Sequence, residues 1–175
     1  MKLFAAALAA ATLGSALGTP AQAQEVLNFG IISTESTNNL KQEWVPFLDA
    51  MEKQTGFKIK AFFAPDYAGI IEGMRFNKVQ VAWFGNKSAM EAVDRAQGEV
   101  FVQSVDVEGN PGYWSHLLAH KDSRLDSVAD VLKHAGELSF GNGDPNSTSG
   151  FLVPGYYVSV SYTHLAGDSQ MTLPT

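Results

Sequence analysis

The chain contains no cysteine, which excludes disulfide frameworks and thiolate metal sites. Histidine is scarce, with four in 175 residues. His116 and His120 stand four apart, but in a segment read as a strand that spacing does not make a shared metal face. No carboxylates cluster beside them and no HExxH occurs, so neither a metal nor another cofactor is expected. The G-x-S-x-G turn of a hydrolase nucleophile is missing, and so is a P-loop. Positive charge is in deficit: 12 Lys and Arg stand against 18 Asp and Glu, a formal charge of −6. That balance argues against a nucleic-acid partner. Beyond the first two dozen residues no apolar run is long enough to span a bilayer.

What is present begins with a leader. Lys2 precedes the apolar run LFAAALAAATLGSALG, and Ala21-Gln22-Ala23 has the small-x-small form of a cleavage site. These features predict a signal peptide over 1–23 and a mature chain from Gln24. The alternative is an N-terminal anchor, disfavoured by the short, small-residue-rich run. No Cys follows to carry a lipid. Without Lys2 the chain keeps 11 basic and 18 acidic residues, a formal charge of −7. With 45% hydrophobic residues it has enough apolar material for a packed core. The expectation is a soluble exported protein, periplasmic if the host has two membranes.

The mature chain alternates. Val26 to Ile32 reads as a buried strand ending in the polar turn 33–36. Leu40, Trp44, Phe47, Leu48 and Met51 mark one face of a helix that Gly56 stops. Strands follow at Phe57–Ala64 and Val79–Phe84, with helices at Ala68–Phe76 and Ser88–Ala96. Val100–Val107 and Tyr113–His120 read as two further strands. A helix is expected at Leu125–Ala135, a short strand at Leu138–Phe140, and another helix after 147. Trp44, Trp83 and Trp114 are expected in the core, and Arg75 at the surface or between lobes. Such an order predicts an α/β protein with a mainly parallel sheet. A break near 108–122 divides it into two lobes: 24–112, and a crossing strand with a partial second lobe over 113–158.

In parallel sheets, ligands lie beyond the carboxyl ends of the strands. Four turns occupy that place: 33–36, 65–69, 85–88 and 141–149. The last, GNGDPNSTSG, carries Ser147, Thr148 and Ser149 where a helix is about to begin. Helix starts have unpaired N–H groups and a partial positive charge, which suits an oxyanion. The same residue types also serve as plain helix caps. Both readings stay open here. Asp144 weighs against an anion nearby unless it braces the turn through its own side chain. Tyr67 and Tyr113 each follow a turn and are candidates either as phenol donors or as packing aromatics. Arg75 and Lys87 are candidate cationic ligands.

LNFGIISTES, FFAPDYAGIIEGMRFNKVQVAWFGNKSAMEAVDRA, PGYWS and FGNGDPNSTSGFLVPGYY resemble the phosphonate-binding proteins of bacterial ABC transporters, from about Leu27 to Tyr157. The resemblance implies a type II periplasmic-binding fold of two α/β lobes that close over a ligand. It implies that hydroxyls and main-chain N–H groups hold the phosphonate, with Tyr67 and Tyr113 as the tyrosines and Ser147, Thr148 and Ser149 as the hydroxyl run. It further implies a phosphonate ligand and an inner-membrane ABC permease as partners, with no direct membrane insertion and no catalysis. Receptors for phosphate, phosphite or another oxyanion are the alternative, and an exported phosphoester hydrolase is a more distant one. Such proteins continue well past residue 175. From about Ser159 the tail departs from the pattern, which leads to the expectation of a truncated or chimeric frame with an incomplete second lobe. His164 and Asp168 receive no role.

Overall fold

The computed structural model describes residues 25–160. The expected leader, the start at Gln24, His164, Asp168 and most of the tail lie outside the described residues. Strand β1, Val26–Ile31, runs between β2, Lys58–Phe63, and β3, Val81–Trp83, and pairs parallel to both. Phe29 faces Ala61 on one side and Val81 on the other; Ile31 faces Phe63 and Trp83. Parallel neighbours cannot be joined by tight turns, so each connection carries a helix.

Helix α1, Thr37–Thr55, joins β1 to β2, and α2, Tyr67–Arg75, carries the chain back across β1 to β3. Because the two crossovers move in opposite directions, they cover opposite faces of the sheet. Alternation along β1 supplies both faces. Phe29 and Ile31 pack with Leu40 and Leu48 of α1, joined by Trp44, Met51 and Trp83. Ile32 packs on the other side with Tyr67 and Ile70 of α2. Trp44 sits with its ring 5.7 Å from that of Phe29 and 5.2 Å from that of Trp83. Each fully buried large aliphatic of this kind is worth about 1.5–3 kcal/mol.

The helix limits follow from local chemistry. Ser36 Oγ accepts the Asn39 N–H at 3.3 Å and caps α1, which ends at Gly56 with φ of 77°. That left-handed value costs glycine little. Asp66 caps α2 by accepting the Gly69 N–H at 2.8 Å. Helix α3, Asn86–Ala96, lies against α2, and Arg95 crosses to pair with Glu72. Among the described residues no helix is long and apolar enough to cross a membrane.

Several expected elements do not form. Val100–Val107 and Tyr113–His120 make no ladder among the described residues; a single antiparallel bridge, Val105 to Pro111, is the remnant. Leu138–Phe140 is likewise not a strand. The reason is physical: alternation prepares a strand, but only a partner's hydrogen bonds make one. Val107 is 98% exposed, and Trp114, expected in the core, is 84% exposed. The helix expected over 125–135 shrinks to α4, Val128–Lys133, capped by Ser127. Beyond Ser147 the chain forms a wide π-type turn, Thr148–Leu152, in which the Leu152 N–H reaches the Ser147 carbonyl at 3.1 Å. A second such turn covers Gly155–Val160.

Gly30 shows how tightly α2 lies on the sheet. A Cβ there would stand 2.7 Å from Ile70 Cγ2 and 2.9 Å from Val79 Cγ1. Both neighbours are fully buried and unable to yield. Gly30→Ala should therefore cost about 1–3 kcal/mol, read as a lower urea midpoint at unchanged slope. A midpoint equal to wild type would show that the α2 face is looser than this packing requires.

Candidate functional site

The parallel register places the turns after β1, β2 and β3 along one edge of the sheet. The strand order reverses at β1, the position where such sheets open a crevice. Hydrogen bonds gather three of the four candidate turns; the 33–36 turn is not joined to them. The segment 141–150 first folds on itself. Gly143 donates to the Gly150 carbonyl at 2.8 Å, and a Cβ on Gly143 would lie 3.0 Å from Gly150 Cα. Only a side chain of hydrogen permits that approach.

Asp144 organises the turn. Its Oδ1 accepts the Asn146 N–H at 2.7 Å, and its carbonyl accepts the Ser147 N–H at 2.8 Å. This is the bracing role that reconciles an acidic residue with this place in the sequence. Its Oδ2 does more: it accepts the N–H of Tyr67, 77 residues away, at 3.0 Å. Thus the first donor of α2 is satisfied by the distant turn.

The start of α3 is served in the same way. Its N-cap is Gly85, which has no side chain to offer. Ser88 Oγ accepts the Gly85 N–H at 3.0 Å, and Thr148 Oγ1 accepts the Lys87 N–H at 2.9 Å. Thr148 acts as the cap that Gly85 cannot be. A Cβ placed on Gly85 would lie 3.4 Å from both Thr148 Oγ1 and the Tyr113 hydroxyl, and 3.8 Å from Ser88 Oγ. Three hydroxyls therefore surround the bare face of one glycine.

Tyr67 and Ser147 are each 8% exposed and meet side by side. Ser147 Oγ accepts the Gly150 N–H at 3.0 Å, so it does cap its own turn. Ser149 presents its carbonyl to the Ser115 hydroxyl at 2.7 Å, which ties the Tyr113 segment to the same turn. Tyr113 is 58% exposed. Of the candidate cations, Lys87 pairs with Glu91 at 3.6 Å and Arg75 with Glu72 at 3.4 Å, both within their own helices. The five candidate residues Tyr67, Tyr113, Ser147, Thr148 and Ser149 are thus brought together, while Arg75 stays outside with its partner.

Sequence reasoning picked the 85–88 turn and named Lys87 in it as a candidate cation, but named neither Gly85 nor Ser88. Gly85 and Ser88 matter through what surrounds them. The legible signal was a glycine at a helix start followed three residues later by serine, after a strand.

Residues 29–171 match the protein family described as ABC transporter, phosphonate, periplasmic substrate-binding protein. The Phosphonates-binding periplasmic protein of Escherichia coli K12 is 61% identical over 162 residues, which are 91% of this chain and 48% of that protein. The Phosphate-import protein PhnD of Mycolicibacterium smegmatis is 37% identical over 133 residues, covering 74% of this chain and 40% of its own length. A solved binding-protein component of an ABC phosphonate transporter from Pseudomonas aeruginosa superposes with a TM-score of 0.74 at 69% identity, over 77% of this chain and 45% of that one. The chain spans about half the length of the relatives it matches, or somewhat less.

Burial holds the Tyr67 phenol above its ordinary pKa; the Ser147 hydrogen bond pulls it down, and the negative charge of Asp144 and the neighbouring Tyr113 push it up again. The folded state thus binds this proton more tightly than the unfolded chain. Its contribution to stability is complete below the ordinary phenol value of about 10 and is lost as pH rises through the higher folded value. Ultraviolet titration of wild type against Tyr67→Phe should isolate one phenol ionising above that value. A midpoint at or below it would contradict the buried environment.

Proposed function

Because this chain belongs to the family of periplasmic substrate-binding proteins of phosphonate ABC transporters, we propose that the complete protein captures a phosphonate in the periplasm and hands it to an inner-membrane permease. The observation that carries the reading is the gathering of Tyr113, Thr148 and Ser88 hydroxyls around Gly85, with Tyr67 and Ser147 beside them. Tyr67, Tyr113, Ser147, Thr148 and Ser149 are the residues assigned to the anion. A leader over 1–23 would direct the protein to that compartment.

A hydroxyl has one proton to give and two lone pairs to receive. Ser147 and Thr148 each spend a lone pair on a main-chain N–H. The Thr148 proton stays available for a phosphonate oxygen, while the Ser147 hydroxyl also bonds the Tyr67 phenol and must turn from it to reach the ligand. The bonds in such a chain polarise one another, so the field at the start of α3 reaches the ligand through Thr148. Neutral donors fixed by the fold then stabilise a dianion inside a protein of net negative charge. Capture and release need no covalent step.

One observation favours a second ligand class. A relative at 37% identity is named for phosphate import, and the same donors suit phosphate or phosphite. Calorimetry on the complete protein with methylphosphonate, an aminoalkylphosphonate, phosphate and phosphite ranks these ligands. Turnover of a chromogenic phosphate ester would instead point to a hydrolase.

Each charge-assisted bond is worth about 1.5–3 kcal/mol. Ser147→Ala and Thr148→Ala should therefore each weaken methylphosphonate binding by about tenfold or more. Both changes also remove a cap. Thr148→Ser, which keeps the hydroxyl, should retain most of the affinity. Unchanged affinity in both alanine variants would take these residues out of the site.

A further inference from the structure

We infer that Asp144 is a positioning residue for this site: its carboxylate fastens the 144–149 turn to the start of α2, so that Tyr67 and Ser147 meet before any ligand arrives. The inference rests on the anion-receptor reading and says how that site is held.

The difficulty is the charge. A carboxylate beside an anion site repels the ligand through a medium of reduced dielectric. Retaining it demands a compensating role, and the geometry supplies one. Both Asp144 oxygens are engaged by main-chain donors, Tyr67 N–H at 3.0 Å and Asn146 N–H at 2.7 Å. A side chain with a single acceptor oxygen could not reach both. The first bond spans 77 residues of sequence and places Tyr67; the second shapes the turn at Asn146, next to Ser147, whose own N–H goes to the Asp144 main-chain carbonyl.

The second fastening of the same turn is neutral: Thr148 Oγ1 to the Lys87 N–H of α3. Around that start there is no acidic residue in the first turn, and the cap is a glycine. The charged fastening thus sits at α2 and the uncharged one at α3. Protein carboxylates occupy the first helix start, with Asp66 on the Gly69 N–H and Asp144 on the Tyr67 N–H. The second keeps its positive field free of them. Asp144 holds the turn from the side where its charge also meets the α2 dipole favourably.

The two explanations of Asp144 predict opposite signs. If it only repelled the ligand, neutralising it would tighten binding. As a positioning residue, its loss weakens binding. The test titrates methylphosphonate into the complete protein carrying Asp144→Ala or Asp144→Asn, with thermal melting alongside. Asp144→Ala should weaken binding about tenfold or more. Asp144→Asn keeps one oxygen but turns an amide donor toward the other N–H, and should lose less. The Tyr67 phenol should also ionise at lower pH in the alanine variant, because the negative charge beside it is gone; this shift reports that Asp144 stands at Tyr67, and the loss of affinity reads the positioning. Affinity equal to or tighter than wild type, in either variant that folds, overturns the inference. An unmoved Tyr67 titration overturns it as well. Wild-type protein that binds phosphate but not methylphosphonate shifts only the ligand assignment, and the same comparison is then read with phosphate. Wild-type protein silent toward every oxyanion sinks the receptor reading itself, while the Tyr67 titration still reports on the fastening.

Discussion

A helix begins with N–H groups that have no partner inside it, and the candidate site of this protein is built from the way two of its helices meet that requirement. Helix α1 meets it locally through Ser36. Helix α2 does so partly through Asp66 and partly through Asp144. Helix α3, whose cap is Gly85, turns to Thr148, 61 residues downstream of Lys87. Two long-range hydrogen bonds thus draw one hydroxyl-rich turn onto the open edge of a parallel sheet. Without the backbone's demand for acceptors, Tyr67 and Ser147 would lose the bonds that bring them to one place.

The same bonds dissolve an apparent choice. Ser147 and Thr148 can be read as helix caps or as anion ligands, and residue preference alone does not separate the two roles. In the structure both oxygens do cap: Ser147 takes the Gly150 N–H and Thr148 the Lys87 N–H. Capping uses a lone pair of the oxygen; at Thr148 it leaves the proton, and at Ser147 the hydroxyl also meets the Tyr67 phenol. A hydroxyl that caps is a better donor than one that accepts no bond, since the N–H it accepts polarises it. On the proposed reading the acidic balance of the chain is no obstacle, because the donors carry no net charge that Asp and Glu would neutralise.

Much of this was legible in the sequence. The three strands and three helices described over residues 25–96 stand within a few positions of their pattern-based limits, because apolar periodicity and caps such as Ser36 and Asp66 are local signals. The five candidate residues were picked out by placing hydroxyls and phenols at turns, and the fold brings them to one place. What was not legible depended on partners. Asp144 reaches Tyr67 across the fold, and Gly85 matters through the side chain it lacks. Neither relation leaves a trace at short range. The alternation in VFVQSVDV and the aromatic Trp114 pointed to sheet and core, yet both lie exposed. A pattern states what a strand would bury; it does not supply the strand beside it.

That failure bears on the site itself, because its donors stand on unequal footing. Tyr67 and Ser147 are 8% exposed and braced from several sides, so little freedom remains for a ligand to remove. Tyr113 is 58% exposed and follows Gly112 at φ of 98°, in a stretch with no ladder among the described residues. Its phenol reaches Gly85, and Ser115 ties the stretch to Ser149 by one bond. Ordering a loosely held side chain costs about 0.5–1.5 kcal/mol on binding, comparable with the gain from one neutral hydrogen bond. Preorganisation is therefore concentrated in the Tyr67–Ser147 half. On the proposed reading, the Tyr113 half would contribute net affinity only to the extent that its backbone is already held, and Ser115 is a contact that holds it.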